Sequence, residues 1–520
     1  MRVMLWRGLA AAMLLGSAAA FAGPFALVGD VQLRHDVDLL KAAGLIEGPV
    51  DSWPLPWAQI DAGIDKARDG RNLDPYLKAA VDRVDRLGDL AAQGAVVNAS
   101  IAATNNVSVA RDFSSLARAK LDAAGSVEFN GDVFSLSLGA GVRTGQGGKA
   151  YNFEPSQVAV RLGNWAVYAG FTEQWFGPGH DGALLFSNST RPFPKVGIKR
   201  LMPDPIDLPV LRWLGPIRLD LFAGVLDEER DFRNTIIVGT RLSFAPGRGW
   251  EVGLNRMQQL CGRGRPCGLK QIGQSFIGIG NADNPTVGDE AAFLAQPGNQ
   301  IAGFDISYTH RFGPVAAKVY LEAEAEDFDN IILEQYARLI GATVSGPWGS
   351  KGANWTATLE YADTFGASFF NGTPLEKLTG GETRYPGSIY NNSLYTSGFT
   401  YNALPIGYWT DGDSRNLSLA AAVTDTRNRR WYGSVRSVHL NITNIGNPPL
   451  ILFYGPRPLP PISYRVSANS EKFAILTAGT QLPTRLGDIH LEARYQTDSP
   501  NTPGVRKGRA AIEVGLRQRF

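Results

Sequence analysis

Cysteine is almost absent from this chain. Cys261 and Cys267 are its only two, set six positions apart in a Gly- and Arg-rich segment. Two thiols with no histidine nearby make a poor zinc site. The expectation is therefore a small loop disulfide formed in an oxidising compartment. An excess of charge is also missing, since 51 Lys+Arg face 49 Asp+Glu over 520 residues. Residues 1–22 hold two arginines and no acid, so the remainder is formally neutral and offers no electrostatic reason to expect nucleic acid as a partner. Beyond the N-terminal leader there is no run of about 18 apolar residues, which excludes helical membrane spans. The five histidines (His35, His180, His310, His439 and His490) are dispersed. There is no phosphate-binding glycine loop, no dinucleotide fingerprint and no Ser or Cys nucleophile elbow. No cofactor and no bound metal are expected.

What is present begins with an export signal. Arg2 and Arg7 give a positive start, Leu9 to Ala19 a short apolar core, and Ala20 and Ala22 the small-x-small pattern that precedes cleavage before Gly23. Residues 1–22 are thus expected to be a signal peptide. An uncleaved anchor is the alternative, against which Gly16, Ser17, Gly23 and Pro24 speak by weakening the helix. Without a cysteine at the cleavage site, a lipoprotein is excluded.

Residues 23–94 read as a small helical bundle. Leu33, Val37 and Leu40 share a helical face closed by Gly44, and Pro56 stands at a first helical position ahead of Trp57, Ile60 and Ile64. Asp74-Pro75 is a cap followed by a first-turn proline, and Leu77, Val81, Val84 and Leu87 follow at helical spacing.

From about Gly94 the period changes to two. Phe134, Leu136, Leu138, Ala140 and Val142 alternate with Ser135, Ser137, Gly139 and Gly141; Val319 to Ala325 alternate with Glu322, Glu324 and Glu326. Such a pattern fits a soluble sandwich with its apolar face inward, or a membrane barrel with that face turned to lipid. Number and punctuation decide between them. Residues 95–520 hold 18 or 19 strand candidates of about 9–11 residues, the length a spanning strand needs. Tight turns such as Asn130-Gly131-Asp132, Leu162-Gly163-Asn164, Phe312-Gly313-Pro314 and Leu486-Gly487-Asp488 alternate with long Gly/Asn/Pro-rich connections near 260–300, 364–395 and 443–470. An even count keeps both barrel ends on the periplasmic side, so the prediction is a transmembrane antiparallel β-barrel of about 18 strands behind a periplasmic helical bundle. The last strand places Ile512, Val514, Leu516 and Phe520 on one face. A terminal aromatic of this kind resembles the signal read by the barrel-insertion machinery of the outer membrane, which makes that machinery and outer-membrane lipid expected partners.

Residues 173–194 are neither a clean strand nor a simple loop. They gather Glu173, Trp175, His180, Asp181, Asn188 and Arg191. Flat aromatics with carboxylate, amide and guanidinium groups suit carbohydrate, because rings cover sugar faces and planar groups pair with hydroxyls. The alternative is a structural plug whose Arg and Asp pair with charges of the barrel wall. Asp227, Glu228 and Glu229 beside Arg230 allow a paired-carboxylate reading, although adjacent acids at a strand end more often form a turn or a luminal ion-pair network. Glu322, Glu324 and Glu326 share one face, where luminal pairing competes with a metal- or sugar-binding stripe.

Three stretches resemble the capsule assembly Wzi family. The first runs from Gly29-Asp30-Val31-Gln32-Leu33-Arg34 through Leu39-Leu40 to Ser52-Trp53-Pro54-Leu55 and Trp57. The second is Trp175-Phe176-Gly177-Pro178-Gly179-His180-Asp181-Gly182, continuing to Ser187-Asn188, and the third comprises Arg191-Pro192-Phe193-Pro194, Trp213-Leu214-Gly215-Pro216 and Asp227 to Arg230. Ser189-Thr190 stands where the family has Asn-Ala, and beyond about residue 235 only generic strands and Phe520 match. The resemblance implies an outer-membrane lectin, not an enzyme, that holds capsular or exopolysaccharide at the cell surface. Glu173, Trp175, His180, Asp181, Asn188, Arg191 and Arg230 are then the candidate carbohydrate contacts. A porin or saccharide export channel, and a polysaccharide-modifying enzyme, are the competing readings.

Overall fold

The computed structural model describes residues 23–69, 72–114, 116–144, 150–209, 211–277, 298–326, 328–329, 332–333, 336–367, 387–392, 394–444, 453–454, 457–458, 465–501 and 508–520. The expected signal peptide, and parts of all three long connections, lie outside the described residues.

Three helices open the described chain: α1 (Val31–Ala42), α2 (Trp57–Arg68) and α3 (Pro75–Ala91). Asp30 caps α1 by accepting the Leu33 N–H at 2.9 Å. Gly44, at φ 71°, turns the chain away after its end. Pro56 caps α2 from one position outside the helix instead of starting it. Pro75 does start α3, but the Asp74 carboxylate leaves the cap position to accept from Arg311 at 2.6 Å. Val37, Leu40, Ile60, Ile64, Val81 and Val84 are buried together with Trp53 and Trp175, each such side chain contributing roughly 1.5–3 kcal/mol.

Among the described residues the main body is one closed antiparallel wall of eighteen strands, counted with one interrupted strand as a single span; a short helix (Leu269–Ile277) and small two-stranded ribbons lie in its long connections. In chain order the first nine are β1 (Ala95–Thr104), β2 (Leu121–Asn130), β3 (Phe134–Thr144), β4 (Tyr151–Asn152 and Gln157–Leu162, both paired with β3), β5 (Trp165–Gly170), β6 (Lys195–Arg200), β7 (Ile217–Val225), β8 (Ile236–Phe244) and β9 (Trp250–Leu260). Then follow β10 (Gly298–Phe312), β11 (Val315–Ala325), β12 (Tyr336–Pro347), β13 (Asn354–Ala367), β14 (Arg415–Thr424), β15 (Arg430–Leu440), β16 (Glu471–Thr484), β17 (Gly487–Gln496) and β18 (Ala510–Arg519). β18 pairs with β1, and Phe520 exchanges backbone hydrogen bonds with Val97 at 2.9 and 3.1 Å, which closes the ring. All four predicted tight turns join consecutive strands. Strand length departs from expectation: β10 has 15 residues, whereas β5 and β6 have only 6 each. The short pair is where the chain leaves the wall.

The pattern of burial is inverted relative to a soluble sandwich. Leu138, Val142 and Val319 are more than half exposed on the outside, while Glu322 and Glu324 at 0% face inward. An outer face of Val, Leu, Ile and Phe has the character of a surface that meets hydrocarbon. Trp213, Trp250, Trp348 and Trp431 stand exposed toward the rim of short turns, as an interfacial girdle would. The helices dock on that same rim, with the Tyr76 hydroxyl donating to the Pro314 carbonyl at 2.8 Å and the Thr424 hydroxyl to Gln32 at 2.6 Å. Cys261 and Cys267, just beyond β9, form a disulfide.

Candidate functional site

Between β5 and β6 the chain turns inward and crosses the lumen as residues 171–194. Its first act is to meet the helical bundle. Trp175 and Phe176 pair antiparallel with Trp53 and Ser52, and the Trp175 indole donates to the Gly179 carbonyl at 3.0 Å. Phe113 packs edge-on to both Trp53 and Trp175, at 5.4 and 5.2 Å. The Arg34 guanidinium lies 4.5 Å over Phe113 and donates to the Pro178 carbonyl at 2.9 Å. Arg34, Trp53 and Trp175 come from two separate stretches of sequence and form one buried cluster.

Next the segment is pinned to the far wall. The backbone N–H of Leu184 donates to Glu322 on β11 at 2.7 Å, and those of His180 and Asp181 donate to Glu360 on β13 at 2.7 to 3.0 Å. Asp181 accepts from Arg436 on β15 and from Asn416 on β14, each at 2.7 Å. Glycine is required at Gly179, where a side chain would meet the Gly182 carbonyl at 2.2 Å, and at two further points. A side chain at Gly177, where φ is 132°, would meet the Glu322 carboxylate at 2.7 Å, and one at Gly182 would meet the Tyr408 ring at 2.2 Å. From above, Ser187 donates to the Gly407 carbonyl at 2.6 Å and Tyr390 to that of Leu184.

The seven sequence-predicted residues therefore divide. Trp175 is fully buried, Asp181 is buried against Arg436, and Arg230 is buried with its guanidinium donating to the carbonyls of Thr400 and Gly398 at 3.0 and 3.2 Å. His180 is partly buried, its Nε2 3.9 Å from Asp38. Burial and the nearby Arg34 and Lys318 cations hold its pKa well below the usual histidine value. Asp227 accepts from the Asn402 N–H at 2.8 Å, while Glu228 and Glu229 stay exposed. Glu324 and Glu326 accept from Asn255 and Asn299 at 3.0 and 3.1 Å. Among the described residues no group of His, Cys, Asp and Glu is arranged to hold a metal ion.

Glu173 and Asn188 face a cavity of about 480 Å³ between the plug, the bundle and the wall of β1, β2, β17 and β18. Arg111, Arg118 and Arg143 line it as well. Arg118 pairs with Glu173 at 2.8 Å and donates to the Asn188 carbonyl at 2.8 Å. Arg143 bridges Asp122 and Glu154 at 3.0 and 2.6 Å, which leaves its Nη1 without a partner among the described residues. The Asn188 Oδ1 is likewise buried and has no partner among the described residues. Arg111 donates to the carbonyls of Leu116 and Ala117 at 3.2 and 2.9 Å, and no carboxylate among the described residues lies within ion-pair distance. Burial, with Arg118 adding repulsion, lowers its pKa to about 9. Arg191 sits nearby, its pKa lowered by burial and then by Arg143. Guanidinium, carboxylate and amide groups thus converge on one polar space, the donor and acceptor set that hydroxyl-rich ligands need. Sequence reasoning missed Arg111, Arg118 and Arg143; the first two lie between β1 and β2, and only the fold turns that connection inward.

A family model described as capsule assembly protein Wzi matches residues 93–434. A Klebsiella pneumoniae protein described as an uncharacterized 55.8 kDa protein in the cps region is 25% identical over 347 residues, spanning 66% of this chain and 66%, just under two thirds, of that protein. A solved structure described as Wzi, an outer membrane protein involved in group 1 capsule assembly in Escherichia coli and a carbohydrate-binding β-barrel, is similar with a TM-score of 0.75 at 19% identity. The likeness covers 97% of this chain and 100% of that one.

Proposed function

We propose, since the chain belongs to the capsule assembly protein Wzi family, that it is an outer-membrane lectin holding capsular or exopolysaccharide at the cell surface without catalysis. The observation that carries this reading is the plug. Residues 171–194 cross the lumen and are hydrogen-bonded to β11, β13, β14 and β15, which suits a closed binding barrel better than a porin. In this reading the helical bundle and both termini face the periplasm, the long connections face outward, and Phe520 presents the strand end to the insertion machinery.

The candidate contacts then fall into two roles. Trp175, His180 and Asp181 hold the plug in shape, and Arg230 holds the turn at Gly398–Thr400. Glu173, Asn188 and Arg191, with Arg111, Arg118 and Arg143, offer the polar groups that meet saccharide. Single contacts of this kind are weak, and repetition along a polymer makes them add.

The test is binding of the purified barrel to the source organism's own exopolysaccharide. An Arg111→Gln/Asn188→Ala double variant is expected to lose about tenfold in affinity, the worth of one charge-assisted hydrogen bond. Unchanged retention of surface polysaccharide after deletion of the gene would sink the lectin reading. New reducing ends on incubation with the polysaccharide would instead favour an enzyme.

A further inference from the structure

The outward face of the wall is not uniformly apolar. Beside the long connections, Arg338 of β12, Asp363 of β13, Arg415 of β14, His439 of β15 and Lys472 of β16 are successive cross-strand partners. They form one row about 19 Å wide at the usual strand spacing. Leu339, Ala362, Asn416, Val438 and Phe473, the inward-facing neighbours, are all buried, whereas Arg415 and Lys472 are exposed and Arg338 and His439 partly so; the row lies on the outer face, with Asp363 covered between its two arginines. Asp363 accepts from Arg338 at 3.2 Å and from Arg415 at 3.1 Å, a single carboxylate among four basic groups. His439 faces the Ser470 hydroxyl at 3.2 Å, and Lys472 is exposed with no hydrogen bond or ion pair among the described residues. By contrast, the outward positions of β17, β18, β1 and β2 carry no charged side chain.

Two residues toward the middle of the wall, the next row is Ile340, Tyr361, Leu417, Ser437 and Ala474, and the one after it contains Leu359, Leu419, Val435 and Leu476. Most of these apolar side chains are about half exposed. Where Ser437 and Ala474 are small, the surface sinks into a groove of about 460 Å³ that ends on Arg415, His439 and Lys472. A basic row at the upper margin of an apolar belt, with a groove running down from it, matches an amphiphile with an anionic head.

We propose that this row binds a phosphorylated membrane lipid, with phosphate held by Arg415, His439 and Lys472 and an acyl chain lying over Ser437 and Ala474. The occupant is a lipid and not free phosphate, because the floor of the groove is continuous with the apolar belt. This rests on the membrane reading given above, and the experiment separates the two. The purified full-length barrel is placed in bilayers of neutral lipid and offered an acylated disaccharide lipid with its phosphates, or the same lipid after phosphatase treatment. Native mass spectrometry counts the lipid retained. The unsubstituted protein is expected to keep the phosphorylated form about tenfold better, and Arg415→Gln/Lys472→Gln to fall to the level of the dephosphorylated form. Equal retention of both forms by the unsubstituted protein overturns the site, whatever the double variant does. So does a properly inserted double variant that still discriminates, or displacement of the lipid by inorganic phosphate alone. Failure to insert in neutral bilayers overturns the membrane reading, and the lipid site with it.

Discussion

His35 illustrates how a single buried side chain ties stability to pH. It is 7% exposed on α1, and burial lowers its pKa to about 4, with Arg83 and Arg430 adding to the effect and Asp36 and Asn354 opposing it. A folded pKa below the unfolded value of about 6.5 means that the neutral ring favours the folded state. That contribution is complete above about pH 6.5 and is lost as pH falls toward 4. Thermal or denaturant unfolding of the unsubstituted protein and of His35→Gln should therefore converge on acidification, the difference closing by at most about 3 kcal/mol. A gap that stays constant from pH 7 to pH 4 would refute the assignment. Asp181 makes a different test. Removing its carboxylate by Asp181→Asn leaves Arg436 with Asp112, at 2.9 Å, as its remaining ion-pair partner, which should cost roughly 1.5–3 kcal/mol, the worth of one hydrogen bond to a charged group. Polysaccharide affinity per folded molecule should stay unchanged, because Asp181 shapes the plug without facing the cavity; a selective loss of affinity would make it a contact after all.

Between elements, an electrostatic link ties α3 to α1, where Arg83 grips Asp36 through two hydrogen bonds of 2.6 and 2.7 Å. Both groups are buried. Asp36→Ala should loosen the bundle by about 3–5 kcal/mol, whereas replacing both residues with apolar ones of similar volume should restore most of it. Protease sensitivity of residues 23–94, measured across the four-member cycle, checks this. Elements of this kind were legible from spacing: α1 to α3 follow the 3.6-residue pattern, and the wall follows the alternation and tight turns. Alternation reports two unlike faces without saying which one meets water. The strand number and the unequal connections supplied that answer. The path of residues 171–194 was not legible, since Asp181 finds Arg436 255 positions away and no local pattern encodes such a pairing. Trp175 looked like a sugar platform for the same reason. Nothing in its neighbourhood in sequence reveals that Trp53 and Phe113 enclose it.

For the molecule as a unit, the plug and the closed wall give separable signatures. In a planar bilayer the intact protein is expected to pass little or no current, while deletion of 178–190 should open a conducting state; large, steady channels in the intact protein would contradict the plugged lumen. The folded barrel should migrate faster on a gel before boiling than after, as closed hydrogen-bonded walls resist detergent. The seam between β1 and β18 adds a consequence in time. The ring is completed only when Ala510–Arg519 reaches Asn98–Thr104, roughly four hundred residues upstream. Until then both margins of a growing seventeen-strand sheet expose unpaired backbone to any other strand. Closure of this seam is a pairing of very long range in sequence, and such pairings form slowly while the unpaired margins stay open to aggregation. A chaperone or template that occupies β1 would act throughout that interval, and the last strand to arrive would be the one that releases it.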